Sequence, residues 1–133
     1  MEKLHELTYI LPLAIGLFWS IVFLQSALDK VFDWQGNLAW LKSHFEKSPL
    51  APVVPLLLGV LAFFELATGL VSILGVGIYL SSGNNWWIVQ GVILAMITFL
   101  MLISGQRIAK DYQGAQTVAI YFAVALLSGL VLL

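Results

Sequence analysis

The chain has 133 residues and no cysteine. That excludes disulfides, iron–sulfur ligation and any thiol–disulfide relay run by the chain itself. It also leaves the compartment undetermined by cysteine arithmetic. Charge is nearly as scarce. Six basic and seven acidic residues make up 10% of the sequence and leave a net charge of -1. No basic footprint for nucleic acid exists in such a chain. Histidine occurs twice, at His5 and His44. What fills the space is apolar: 61% of residues are hydrophobic and the mean hydropathy is +0.99. A soluble domain carries about a quarter charged residues and under half apolar ones, so this composition excludes both disorder and a soluble globular fold. The length allows one domain and leaves no room for an additional soluble catalytic one.

Gaps between charges divide the chain. A bilayer core about 30 Å thick needs roughly 20 apolar residues of helix. Four such runs are predicted, at residues 9–28, 53–80, 86–104 and 114–133, and the only charge inside them is Glu65. They do not alternate polar with apolar residues, so they read as helices rather than barrel strands. The first run lacks the basic leader and the small-residue cleavage site of a signal peptide, which predicts that it is retained as a span. The expected fold is an all-α transmembrane four-helix bundle in a single domain over residues 1–133.

The connections are short except the first. Residues 81–85 form a polar turn and residues 105–113 a short charged one. In the long first connection, Asp33 is a plausible N-cap. After it Trp34, Leu38, Leu41 and Phe45 recur at helical spacing, with Gln35, Lys42 and Glu46 on another face. That predicts an amphipathic interfacial helix over about 34–47, stopped by Pro49 and Pro52. It reads as an interfacial anchor or, functionally, as a lid over the mouth of the bundle. Five cations, Lys30, Lys42, Lys47, Arg107 and Lys110, fall on one side of the spans, against Lys3 on the other. The positive-inside rule then places the two charged connections in the cytoplasm and both termini outside.

Glu65 is the most informative residue. Ten residues beyond Pro55, it lies about 15 Å down a helix, near the midplane. A carboxyl there must be protonated, paired or wet. It is a candidate proton carrier, or else a structural hydrogen-bonding group. Glu65, Thr68, Ser72 and Gly75 share one helical face. Small and polar residues recur on the third span (Gly91, Ala95, Thr98) and the fourth (Tyr121, Ala125, Ser128). Most of these are expected to be packing residues. Depth arithmetic suggests a polar shaft: Lys30 and Arg107 at a cationic mouth, Gln25 and Tyr121 below it, Glu65 at the floor. Such a mouth would attract an anion or a quinone carbonyl. Both histidines lie outside the spans, so no bis-histidine haem site is expected, and His44 reads as a solvated residue without a second metal ligand. No metal site is expected.

Three segments carry a resemblance: Phe23-Leu24-Gln25-Ser26-Ala27-Leu28-Asp29-Lys30-Val31-Phe32-Asp33, then Phe64-Glu65-Leu66-Ala67-Thr68-Gly69-Leu70, then Gly105-Gln106-Arg107-Ile108-Ala109-Lys110-Asp111-Tyr112-Gln113-Gly114-Ala115. In this order the chain resembles the DoxX-like family of small four-helix membrane proteins over essentially its whole length. One departure is Ala27, where the family often has glycine. The resemblance implies a bacterial cytoplasmic-membrane protein. Some members are similar to a small subunit of a thiosulfate:quinone oxidoreductase, others occur in membrane redox assemblies, and most have no assigned activity. Lys30, Glu65 and Arg107 are the motif positions it carries over.

Three readings follow. The first is a subunit of a quinone-linked redox complex, holding a quinone non-covalently and working with other redox subunits or further copies of itself. The second is a non-enzymatic scaffold that seats membrane partners. The third is a small proton-coupled carrier, against which stands the lack of a discontinuous half-helix pair.

Overall fold

The computed structural model describes residues 2–133. Its elements are α1 (Glu2–Phe32), α2 (Trp34–His44), a single 3₁₀ turn (Ala51–Val53), α3 (Val54–Ser82), α4 (Trp86–Ile108) and α5 (Tyr112–Val131). Helices α1, α3, α4 and α5 are long and apolar enough to cross a membrane, so this is a multi-pass, all-α membrane bundle.

The helices outrun the apolar runs. α1 starts at Glu2 and ends at Phe32, and α4 continues to Ile108. An apolar run measures how much helix lies in lipid. The helix itself goes on until a breaker or a cap ends it, and Glu, Lys and Leu on the flanks are good helix formers. α3 likewise absorbs Ser81 and Ser82, whose hydroxyls donate back to the Ile78 carbonyl at 3.1 and 2.7 Å. The turn shrinks to residues 83–85, opened by Gly83 in the left-handed region at φ 75°. α2 is shorter than expected. It ends at His44, Ser48 closes the following turn through its amide and takes the Leu50 amide on its hydroxyl, and Pro49 prevents continuation. Asp33 caps α2 as its position suggests, accepting from the Gly36 amide at 3.3 Å.

The α4–α5 turn is a Schellman motif. The Asp111 amide donates to the Gln106 carbonyl at 2.8 Å and the Lys110 amide to the Arg107 carbonyl at 3.2 Å. Lys110 holds the left-handed position of this motif, at φ 60°, where glycine is usual. Asp111 then caps α5 by accepting from the Gly114 amide at 3.0 Å.

Packing differs on the two sides of the bundle. α3 packs most extensively against α1 and α4, and α5 leans on α4. Trp19, Phe23, Val92, Ala95, Phe99, Val118 and Ala125 form the core between α1, α4 and α5. The Trp19 and Phe23 rings lie 5.5 and 5.2 Å from that of Phe99, and the Trp19 indole donates to the Ser128 hydroxyl at 3.2 Å. The α3–α4 contact uses small residues instead. A Cβ on Gly75 would lie 2.8 Å from the Ile88 backbone nitrogen, and one on Gly91 would collide with the Ser72 hydroxyl. In lipid there is no hydrophobic force between helices, and close backbone approach takes its place.

Two substitutions test this account in detergent unfolding. Gly75→Ala should destabilise the bundle by about 1–3 kcal/mol through overpacking. Gly77→Ala, whose added carbon meets nothing within 4 Å, should gain about 0.5–1 kcal/mol. Equal effects would disprove the close contact. Lys110→Gly should stabilise by about 1 kcal/mol by removing the left-handed strain.

Candidate functional site

The site begins with the register of α1 on α3. These helices run antiparallel, and Gly69 lets Leu24 pack directly against α3. Leu24 opposite Gly69 brings Leu28 level with Glu65. Lys30 is then two residues away along the axis, about 3 Å. A helical side chain leans towards its own N-terminus, so Lys30 folds back along α1 into the bundle. Its Nζ donates to Glu65 Oε2 at 3.0 Å and to the Ser26 hydroxyl at 2.8 Å. Glu65 is 3% exposed and Lys30 16%. Of the three states open to Glu65, the protein provides a partner.

Below the pair the same face of α3 stays polar and buried. Thr68 donates to the Phe64 carbonyl at 2.6 Å and lies 3.4 Å from the Thr98 hydroxyl of α4. The Ser72 hydroxyl is buried against Gly91, without a hydrogen-bond partner among the described residues. These groups serve helix contact, as the small and polar residues of a membrane interface do.

Above the pair a cavity of about 840 Å³ opens between α2, α3 and α4. Its apolar walls come from Leu57, Leu58 and Leu61 of α3 and Ile97, Leu100 and Met101 of α4. Trp40 and Leu41 roof it from α2. Polar groups gather at its charged end: Lys30, Asn37, His44, Ser104, Gln106 and Asp111. Gln106 Oε1 is buried with no hydrogen-bond partner among the described residues. α2 is tied down at both ends. Asn37 Nδ2 donates to the Asp29 and Asp33 carbonyls at 3.2 and 2.8 Å. His44 Nε2 meets Asp111 Oδ2 at 3.1 Å, on the very residue that caps α5. The helix therefore roofs the cavity as well as lying along the end of the bundle.

The residues singled out from the sequence separate into two groups. Lys30 and Glu65 come together. Gln25, Tyr121 and Arg107 do not join them, so no continuous shaft forms. Gln25 is five residues from Lys30, which turns it about 140° around α1, and it is exposed on the outside of the helix. Tyr121 stacks on Phe99 at 5.7 Å, on the far side of the aromatic core. Arg107 is exposed, with its guanidinium 4.7 Å from the Tyr112 ring centroid. Its neighbour Gln106, about 100° away on the helix, is the one that lines the cavity. His44 is solvent-exposed, as its solvated reading expected, and in addition meets Asp111. Asn37, Trp40, Leu41 and His44 stand at i, i+3, i+4 and i+7, a second face of α2 that its spacing already carried. Among the described residues no three His, Asp or Glu side chains converge as a metal site would require.

No protein-family model matches this chain, and neither the curated proteins nor the solved structures yielded a match.

The enclosed pair yields a double-mutant test. Glu65→Ala leaves an ammonium in an apolar surrounding and should cost about 3–5 kcal/mol. Lys30→Met combined with Glu65→Leu removes both charges and should recover most of that loss. Thermal unfolding in detergent reads both variants, and a double variant no more stable than Glu65→Ala would show that the pair does not interact.

Proposed function

We propose that this chain is a small subunit of a quinone-linked redox assembly in a bacterial cytoplasmic membrane, and that the cavity beneath α2 receives the quinone. One observation carries the reading. Lys30 reaches the cavity already neutralised by Glu65. An anionic ligand would bring a second negative charge to a site whose single positive charge is matched, at a high cost away from water. A neutral carbonyl adds no charge and needs only an N–H donor, and an ammonium has three. Glu65 and the Ser26 hydroxyl engage two of them, and the third meets only the Ser26 carbonyl at 3.5 Å, a contact long enough for a ligand oxygen to displace.

The rest of the cavity suits the same ligand. Its volume lies within the range of small-molecule sites, and its walls are mostly apolar with a few convergent polar groups. Gln106 Oε1, buried and unbonded, is an acceptor for a ring hydroxyl. Leu57, Ile97 and Leu100 line the cavity and are also exposed on the bundle's outer face, so an isoprenoid tail has an apolar path towards lipid. A bound quinone supplies two-electron, two-proton chemistry. The chain itself binds and orients the ring, screens it from water with α2, and holds a hydrogen-bond donor at one oxygen. The chain has no cysteine for an iron–sulfur centre and no histidine within its spans for a bundle haem, so the electrons would come from a partner subunit. The order and content of the three motif segments, similar to the DoxX-like family, support the assignment to a redox assembly. The cation count supports a cytoplasmic placement for the cavity end.

Gentle detergent purification followed by solvent extraction tests the proposal. The parent protein should carry quinone in near-stoichiometric amount, and Lys30→Met combined with Glu65→Leu should lower it at least about tenfold, the equivalent of one lost charge-assisted hydrogen bond. Circular dichroism should show the helices intact. A parent protein that carries stoichiometric partner subunits and no quinone would replace this reading with the scaffold.

A further inference from the structure

Among the described residues there are two ion pairs, Lys30–Glu65 and His44–Asp111. They lie on different elements, yet the basic member of each stands in the wall of the same cavity. A ligand with a single polar head would use one of them. Two cationic or proton-bearing groups, each backed by a carboxylate, suit a ring with an oxygen on two sides. We propose, on the basis of the quinone reading above, that His44 is a further hydrogen-bonding partner of the bound ring, besides Lys30 and Gln106, and that its charge state selects between the oxidised and reduced forms.

The chemistry follows from the imidazole. Asp111 accepts a hydrogen bond, so His44 Nε2 carries the proton of that contact and Nδ1 is left for the ligand. In neutral His44, Nδ1 is an acceptor and takes the hydroxyl of a reduced ring. In protonated His44, Nδ1 is a donor and meets the carbonyl of an oxidised ring. No covalent bond forms or breaks, and no electron moves. One proton, taken from water, accompanies the binding of the oxidised ring. His44 is placed for that exchange, because its side chain is 32% exposed, twice as open as Lys30 at 16%.

The His44 imidazole is oriented from several directions. Trp40 stacks on it with centroids 4.6 Å apart and planes 12° from parallel, and Phe45 meets its edge. Asp111 is itself fixed by the Gly114 amide. The charged groups around this end of the cavity are Asp111, in direct contact, and Lys30 on the α1 wall, with Glu65 behind it. Lys110 and Arg107 flank the Asp111 turn but are exposed, and Arg107 is turned onto Tyr112. Lys42, Glu46 and Lys47 on either side of His44 in the chain are exposed as well.

Binding of a short-tailed benzoquinone and of its quinol to the full-length protein in detergent tests this, read by quenching of tryptophan fluorescence. The pH should be varied over about 5 to 8. Affinity of the parent for the quinone should fall as pH rises, by at most about tenfold per unit for one linked proton, while affinity for the quinol should not fall. His44→Gln should still bind the quinone, with the pH dependence gone. Lys30→Met combined with Glu65→Leu, which leaves no unpaired charge, should weaken both forms and keep the slope. If the parent binds quinone and His44→Gln retains the parent's slope, or if the parent shows no slope, His44 has no such role and the quinone site stands without it. If the parent binds neither form, the quinone reading falls and this inference with it.

Discussion

Two opposite charges withdrawn from water govern how α1 meets α3. A lone carboxylate or ammonium inside an apolar bundle costs several kcal/mol, and the attraction between two of them offsets that cost only at good geometry. Lys30 Nζ at 3.0 Å from Glu65 Oε2 and 2.8 Å from the Ser26 hydroxyl meets that condition. The pair tolerates little sliding, since a shift of one helical turn would separate the two groups by about 5 Å. It thereby sets the register in which Leu24 faces Gly69, and it brings a hydrogen-bond donor without net charge to the cavity wall.

Around this pair the bundle uses two kinds of packing. On one side an aromatic core of Trp19, Phe23 and Phe99 fills space with large rings. On the other, Gly69, Gly75 and Gly91 bring helices into near-backbone contact, with Thr68 and Thr98 facing each other between α3 and α4. The tight side aligns the polar face of α3. At the charged end the two helices no longer meet along their full width, and α2 covers the opening that remains.

Asp111 links this cover to the bundle. One carboxylate oxygen caps α5 and the other holds His44, so the end of α2 is tied to the strained turn at Lys110. The roof of the cavity therefore depends on a turn that the sequence marks only by an aspartate after a lysine. Both basic groups of the cavity are held in this way by carboxylates from elsewhere in the chain, which fixes their orientation.

Composition and charge spacing by themselves determined the class of structure. Runs of about twenty apolar residues in a chain with so little charge can bury their backbone polar groups only as membrane helices, and periodicity alone marked α2 and the polar face of α3. Glu65 stood out because a carboxyl in such a run has no cheap solution. Its partner was another matter. Depth arithmetic measures distance along an axis but not the angle around it, so Gln25, Tyr121 and Arg107 had depths that suited the site and azimuths that did not. The choice of Lys30 as partner, of Gln106 over Arg107, and of His44 and Asp111 as a pair followed from how helices are rotated and leaned against one another, and packing contacts between residues far apart in the chain decide that rotation.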